Sequence, residues 1–200
     1  MQTHEVTNIL LTGVGGQGII TASHALAQAC LLSGYQVKKS EIHGMSQRGG
    51  SVESHVRFSP SGAVHSPTIP DGEADLLISF ELLEALRGIP FTRPNAKVIV
   101  DERRIVPMSV TVGGGVYPAQ PEDDLRSSGR EVHIVRAFEI AANLGEPRAA
   151  NIVLLGVAAS FLPISSEAWR EAIRAVVPAK AVDINVRAFE AGRQSHETRL

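Results

Sequence analysis

The six residues at positions 13–18, GVGGQG, have the spacing of a loop that holds an anion. Gly13, Gly15 and Gly18 match G-x-G-x-x-G between an apolar run and a helical pattern. Glycines allow a tight turn and a close approach of the backbone to a ligand, while a helix N-terminus offers unpaired N–H groups. A tight strand-to-helix turn needs such glycines even without a ligand, so the motif alone leaves both interpretations open.

Two polar residues bear on what this loop binds. Glu41 stands 23 residues after Gly18, where a dinucleotide fold places the acid that binds a ribose. Gln17 is not required by the turn, and we expect it to contact a ligand or another subunit. An NAD-binding redox protein is therefore one interpretation of the motif.

The second group of chemically capable residues lies between positions 40 and 58, in SEIHGMSQRGGSVESHVRF. It contains two Glu-x-His pairs, Glu41/His43 and Glu53/His55. At strand spacing each pair puts a carboxylate and an imidazole on one face, which suits metal ligation or a carboxylate that orients a base. The alternative is the polar outer face of an antiparallel strand, with Glu and His hydrogen-bonded to each other. Because the pattern provides no further ligands, we predict no metal site.

Arg48 is followed by Gly49 and Gly50. A guanidinium beside a donor-rich backbone can bind a carboxylate or phosphate through two parallel hydrogen bonds. An ion pair within the fold, or at a subunit interface, explains the same arginine equally well.

The elements that must position these motifs are those of an α/β protein. Short apolar runs predict strands at 8–12, 35–41, 51–59, 75–80, 97–101 and 131–135. Helical patterns cover 19–33, 81–87, 137–144, 149–162, 167–176 and 180–191, with Gly34 as a stop and Ser165 or Ser166 as a cap. We expect 63–69 to pair with 51–59 as an antiparallel strand, and 103–121 to be strand and loop. The chain is expected to form one domain over residues 1–200, with a helical C-terminal third.

Composition excludes several classes of protein. Hydrophobic residues make up 44% and charged residues 20%, which is typical of a globular protein rather than a disordered one. The net charge of −2 provides no basic field for nucleic acid. The apolar stretch at 152–164 is shorter than the roughly 20 residues of a membrane span, and the N-terminus lacks the features of a signal peptide. We expect a cytoplasmic protein without nucleic-acid or membrane partners.

The single cysteine, Cys30, restricts redox chemistry in this chain. It permits no internal disulfide, and an iron–sulfur cluster of the ferredoxin type needs about four thiolates. Cys30 lies in an apolar helical run, so we interpret it as a small core residue rather than a nucleophile. Any redox metal must then belong to a partner.

These motifs, taken together, resemble the gamma-type subunit of the 2-oxoacid:ferredoxin oxidoreductases, and within that family the small (beta) subunit of the indolepyruvate type. The resemblance rests on GVGGQG at 13–18, SEIHGMSQRGGSVESHVR at 40–57, IPDGEADLLISFELLEALR at 69–87, AANIVLLG at 149–156 and VDINVRAFEAG at 182–192. These segments run nearly the full length of the chain in the order that the family has them.

The resemblance implies a three-layer α/β domain with a mixed, mostly parallel sheet. It also implies a subunit, inactive alone, of an enzyme that oxidatively decarboxylates a 2-oxo acid, transfers the acyl group to coenzyme A and reduces ferredoxin. Thiamine diphosphate and iron–sulfur clusters are then held by a large partner subunit, and this chain holds no cofactor or metal. Ferredoxin is reached through the complex, and the isolated chain is expected to form a homodimer.

By this resemblance the glycine loop at 13–18 and a second glycine-rich loop at 44–50, GMSQRGG, line a cleft that faces the large subunit. There they would orient the 2-oxo acid or coenzyme A and exclude water from the thiamine adduct, with no residue assigned to the chemical step. A non-catalytic scaffold that only docks the large subunit is the second alternative, beside the NAD-binding protein. The expected site residues are Gly13, Gly15, Gly16, Gln17, Gly18, Glu41, His43, Gly44, Met45, Gln47, Arg48, Gly49, Gly50, Ser54 and His55.

Overall fold

A mixed six-stranded sheet runs through the protein, in a computed structural model that describes residues 6–43, 50–106, 110 and 115–197. The strand order is β2-β3-β1-β4-β5-β6. Strand β3 is antiparallel to both of its neighbours, while β1, β4, β5 and β6 are parallel, which confirms the mixed, mostly parallel sheet. The strands are β1 (Thr7–Val14), β2 (Gln36–His43), β3 (Ser51–Ser59), β4 (Ala74–Ser79), β5 (Thr92–Asp101) and β6 (Glu131–Val135).

Helices cover both faces of this sheet and make three layers. The helices are α1 (Ile19–Leu32), α2 (Leu82–Gly88), α3 (Pro121–Arg126), α4 (Ala137–Asn143), α5 (Ala150–Ala158), α6 (Ser166–Val176) and α7 (Val182–Glu197). One face packs against α1 and α4–α7, and the other packs against α2, α3 and the 61–73 segment. The helical C-terminal third is thereby confirmed. No helix in the described part of the chain is long and apolar enough to cross a membrane.

The central strand β1 is apolar on both faces because it is covered on both. Ile9 and Leu11 point into the core beneath α1, Leu10 points to the opposite face, and all three are fully buried. Cys30 lies in the first of these cores, and its burial raises the pKa of the thiol to about 12. The interpretation of Cys30 as an unreactive core residue is confirmed.

Helix ends follow the local signals in the sequence. Gly18 precedes α1 with a φ of 80°, and Gly34 follows α1 with a φ of 82°, conformations that glycine adopts readily. The Ser165 hydroxyl accepts a hydrogen bond from the Ala168 amide at 3.2 Å and caps α6, as predicted.

The predicted antiparallel strand at 63–69 is wrong. Both edges of β3 are already taken, one by β2 and one by β1, so no edge remains for a third partner. The segment instead crosses the outer face of the sheet and is held by side chains. Arg57 donates to the carbonyls of Ser66 and Thr68 at 3.0 Å, and the Ile69 amide donates to Nδ1 of His55 at 3.1 Å.

Helix α3 was not predicted, and it begins at Pro121, the last residue of the 103–121 stretch that we expected to be strand and loop. Its signals were nevertheless present in the sequence. Pro121 opens the helix at a position that needs no amide hydrogen, and the acidic Glu122, Asp123 and Asp124 occupy the first turn.

The closest contact between helices is the crossing of α5 and α7. A Cβ atom added to Gly156 would stand 2.1 Å from the Phe189 carbonyl oxygen, and one added to Gly192 would stand 2.1 Å from the Val153 carbonyl oxygen. Two glycines thus allow the backbones of two helices to touch, and Phe189 beside the crossing packs against Trp169 in the core.

Replacing Gly192 with alanine should destabilise the protein strongly. The new methyl group meets backbone rather than a movable side chain, so the two helices must separate, at a cost of about 3 kcal/mol, the upper end of the usual range for overpacking. Urea denaturation measures the loss. The matched control, Arg187→Ala on an exposed face of the same helix, should stay within about 0.5 kcal/mol of wild type. An unchanged urea midpoint for Gly192→Ala would contradict the crossing.

Candidate functional site

The glycine loop lies where the parallel strands end, which we call the carboxyl edge of the sheet. It connects β1 to α1, and Gly16 and Gly18 have positive φ angles of 102° and 80°. The Gly15 amide donates to the Gly50 carbonyl at 2.9 Å. The structure therefore brings the glycine loop at 13–18 into contact with Gly50, the last residue of the predicted loop at 44–50.

Gln17 fastens this loop to the neighbouring strand. Its Oε1 accepts from the Val14 amide at 2.7 Å, and its Nε2 donates to the Phe80 carbonyl at 2.6 Å, just beyond β4. The expectation that the turn does not need Gln17 is wrong, because both amide atoms hold the loop in place. Its oxygen also lies 2.9 Å from where a Cβ on Gly13 would stand, which explains a glycine there.

Sequence reasoning missed Asn151, which supports the glycine loop from the first turn of α5. This residue opens α5, and its Nδ2 donates to the Gly18 carbonyl at 3.1 Å. A Cβ at Gly18 would lie only 2.5 Å from the same nitrogen. A lone polar residue at the start of an otherwise apolar helical run was the signal available in the sequence.

Glu41 does not accompany the glycine loop as it would in a dinucleotide fold. Strand β3 lies between β1 and β2 and carries the end of β2 away from the loop. The Glu41 carboxylate is ion-paired with Lys39 and lies 3.8 Å from Nε2 of His24 on α1. Ser54, its neighbour across the β2–β3 pair, is fully buried.

His55 is buried on the opposite face from Glu41. Its Nδ1 accepts the Ile69 amide, which puts the ring hydrogen on Nε2, 3.8 Å from Oε2 of Glu53. That separation is too long for a hydrogen bond, and the residue is only 2% exposed, so this face of β3 is not the solvated one we expected. The remaining predicted residues, Gly44, Met45, Gln47, Arg48 and Gly49, lie outside the described residues, as does the side chain of His43.

Two buried glutamates beside the loop were also missed. Glu81 is fully buried and Glu84 is 1% exposed. Oε1 of Glu81 caps α2 by accepting the Glu84 amide at 2.6 Å. Its Oε2 accepts the Tyr117 hydroxyl at 2.9 Å and the Ile105 amide at 3.4 Å. The Glu84 carboxylate accepts from Arg87 and from the Ser51 hydroxyl.

Burial dominates the electrostatics of this group. It raises the pKa of Glu81 above the ordinary value, against the lowering effect of the donors from Glu84, Leu83, Tyr117 and Ile105. Burial and the nearby Glu81 charge raise the pKa of Tyr117 as well. Tyr117 is therefore a neutral hydrogen-bond donor at physiological pH.

Exposed apolar side chains gather at the same edge. Among the described residues, large apolar side chains are exposed at seven positions, and only Leu31 and Leu32 lie at the far end of α1. The other five each lie at a carboxyl end of a strand or in the connection that follows it. This apolar rim consists of Ile20, Ile42, Val106, Val116 and Phe138.

A cavity of about 560 Å³ lies at the opposite edge of the sheet, lined in part by the rings of His133, Phe161 and His196. The cations at its rim are already paired, Arg193 with Glu197 and Lys97 with Glu131. Across the described ranges, no three His, Cys, Asp or Glu side chains are arranged to hold a metal ion. The carboxyl edge is the better candidate for the functional site.

The raised pKa of Glu81 predicts a pH-dependent stability. Because folding raises this pKa above the ordinary value of 4.5, Glu81 stabilises the fold below about pH 4.5 and loses that contribution as the pH rises toward neutrality. Glu81→Gln lacks this dependence, so wild type should lose stability relative to the variant over that interval. Urea denaturation at several pH values measures the difference in free energy of unfolding between wild type and Glu81→Gln. The contributions of the other carboxylates cancel in this difference because both proteins contain them. Parallel pH curves would refute the assignment.

Comparison with known proteins agrees with the fold and extends it. Residues 8–195 match the model of the family described as pyruvate ferredoxin/flavodoxin oxidoreductase. The chain is 43% identical to indolepyruvate oxidoreductase subunit IorB of Archaeoglobus fulgidus over 189 residues, which is 92% of each protein. The gamma subunit of a keto/oxoacid ferredoxin oxidoreductase from Geobacter sulfurreducens has the same fold, with a TM-score of 0.72, 24% identity and coverage of 96% of this chain and 99% of that one.

A longer protein also contains this fold. In the 2-oxoglutarate:ferredoxin oxidoreductase of Magnetococcus marinus, the match has a TM-score of 0.75 at 19% identity and covers 97% of this chain but 31% of the other. There the fold is one part of a chain with further segments. From the family match over nearly its whole length, this chain belongs to the pyruvate ferredoxin/flavodoxin oxidoreductase family.

Proposed function

We propose that this chain is the gamma-type small subunit of an indolepyruvate:ferredoxin oxidoreductase. The observation that carries the proposal is the 43% identity to an indolepyruvate oxidoreductase subunit over 92% of both chains. The reaction joins the acyl group of an aryl 2-oxo acid to coenzyme A, releases carbon dioxide and passes the electrons to ferredoxin. The whole chain, residues 1–200, forms one gamma-type domain, and the complex works in the cytoplasm.

The redox cofactors belong to the large subunit in this proposal. The only cysteine of the chain is buried, with a thiol pKa raised to about 12, so it cannot supply a thiolate to a cluster. Thiamine diphosphate would supply the carbon–carbon cleavage and the clusters would carry the electrons, both in the partner. Electrons reach ferredoxin through the complex, and a homodimer is the form expected of the isolated chain.

This chain would contribute the wall of a cleft at the carboxyl edge. Gly15, Gly16 and Gly18 present backbone in a loop that Gln17 and Asn151 hold rigid. The second loop joins it through Gly50, which stands two positions after Arg48 in the sequence. The two loops would orient the 2-oxo acid or coenzyme A and exclude water from the reacting centre.

The NAD-binding alternative no longer has the acidic residue that it placed beside the glycine loop. Glu41 is separated from the glycine loop by β3 and paired with Lys39. The scaffold alternative differs from the main proposal only in whether the polar loops meet substrate, and kinetic experiments distinguish the two.

Reconstitution tests the proposal directly. The purified chain should be colourless and inactive, and it should restore oxidation of indolepyruvate when added anaerobically to the large subunit of its own complex, with coenzyme A and ferredoxin. Native mass spectrometry should then find the chain bound to the large subunit. A chain that carries a cluster, or that binds NAD instead of the large subunit, would refute it.

Arg48 distinguishes a substrate-facing loop from a scaffold. Arg48→Ala should raise the KM for the 2-oxo acid or coenzyme A about tenfold, because a charge-assisted hydrogen bond to an anion is lost. The assay uses the assembled enzyme at saturating small subunit. Arg148→Ala, which removes an arginine with an 89% exposed side chain, is the matched control and should leave both KM values unchanged. Unchanged KM values for Arg48→Ala would favour the scaffold.

A further inference from the structure

Arg103 is held in one orientation at the carboxyl edge of the sheet. Its Nε donates to Oδ2 of Asp101 at 2.8 Å, and its guanidinium carbon lies 4.5 Å from the centre of the Phe138 ring. Asp101 is fully buried at the end of β5, which fixes the position of its carboxylate. The ion pair and the aromatic ring together orient a guanidinium whose side chain is still 27% exposed.

The ion pair with Asp101 uses only a small part of this arginine. A guanidinium has five N–H donors, and Asp101 takes the single one on Nε. In the part of the chain that the structure describes, no acceptor bonds to Nη1 or Nη2 of Arg103. Arg104, the next residue, differs because its Nη2 lies 3.6 Å from a carboxylate oxygen of Glu122. Within the described ranges, the fold itself therefore does not use the two NH₂ groups of Arg103.

Arg103 stands at the same edge and on the same face of the sheet as the glycine loop. Side chains alternate along β5, so Asp101 points to the face on which Ile99 lies in the core beneath α1. Helix α4, which carries Phe138, packs on that face. Strand β4 alone separates β5 from β1, and two strand spacings amount to about 10 Å. A bound molecule of about that length can contact both the glycine loop and the guanidinium of Arg103.

The geometry of the two NH₂ groups selects an anion with two oxygen atoms. The planar fork of a guanidinium matches a carboxylate or a phosphate through two parallel hydrogen bonds. Asp101 offsets part of the charge of Arg103, but it supplies orientation in return, so less side-chain freedom is lost when an anion binds. Both kinds of anion occur in the proposed reaction, since a 2-oxo acid carries a carboxylate and coenzyme A carries phosphates.

We infer that Arg103 binds one oxyanion of the substrates, either the carboxylate of the 2-oxo acid or a phosphate of coenzyme A. Asp101 and Phe138 are positioning residues that act through its guanidinium. This inference rests on the proposed function, and it adds to the wall of the cleft a cation that the sequence motifs did not indicate.

The test is the steady-state kinetics of the complex with its own large subunit, in which each substrate is varied in turn. Arg103→Lys keeps the positive charge but lacks the planar fork. It should raise the KM for one of the two substrates about tenfold, while the KM for the other and kcat stay within about twofold of wild type. An effect on the 2-oxo acid identifies the carboxylate as the anion, and an effect on coenzyme A identifies a phosphate.

The positioning residues should affect the same substrate as Arg103→Lys does. Phe138→Leu removes the ring beside the guanidinium at a position that is 39% exposed, and it should raise that KM about threefold. Asp101→Asn, which removes the charge that holds Nε, should also raise that KM. Arg104→Lys is the matched control, because it makes the same substitution at the next residue, whose side chain is 50% exposed, and both KM values should stay at wild type.

Two unchanged KM values for Arg103→Lys would overturn the inference. Equal increases in both KM values would overturn it as well, since a general disturbance of the cleft acts on both substrates. If Arg103→Lys fails to fold, Phe138→Leu at its exposed position decides by the same criterion. A wild-type complex that does not oxidise indolepyruvate would refute the proposed function, and the inference with it.

Discussion

The insertion of one antiparallel strand between β1 and β2 is the constraint on which the rest of the structure depends. In a uniformly parallel sheet, the end of β2 would lie next to the glycine loop and bring Glu41 with it. With β3 between them, Glu41 is carried outward and is used by Lys39 and His24. The neighbour that the loop acquires instead is the start of β3, through the Gly15–Gly50 hydrogen bond. One change of strand direction therefore replaces the acidic neighbour that a dinucleotide site would need with Gly50 at the start of β3.

Polar groups at the carboxyl edge hold loops together rather than strands. Gln17 joins the glycine loop to Phe80, Glu81 joins the end of β4 to Ile105 and Tyr117, and Glu84 is bound by Ser51 at the start of β3. Loops contribute little apolar surface, so hydrogen bonds from buried side chains must define their positions. Burying carboxylates for this purpose is costly, and the donors that surround Glu81 and Glu84 offset part of that cost.

Local signals made much of the fold predictable. Gly18, Gly34 and Ser165 mark helix ends through their own backbone or side-chain chemistry, and the apolar runs of β1, β4 and β5 predict buried strands wherever those strands lie. The site was less predictable because its contacts join distant residues: Gln17 meets Phe80, and Tyr117 meets Glu81. No spacing in the sequence announces such a pair. The 63–69 segment follows β3 closely enough in the sequence to be its antiparallel partner, and only the sheet order shows that no edge is left for it.

The C-terminal helices connect this edge to the core of the protein. Gly156 and Gly192 let α5 and α7 touch, which fixes the position of α5 against the sheet. Asn151 at the start of α5 then reaches the Gly18 carbonyl at the start of α1. The position of α5 and the support of the glycine loop are therefore linked through this hydrogen bond. A helix crossing between residues that bear no functional groups thus places Asn151 against a loop residue 133 positions away in the sequence.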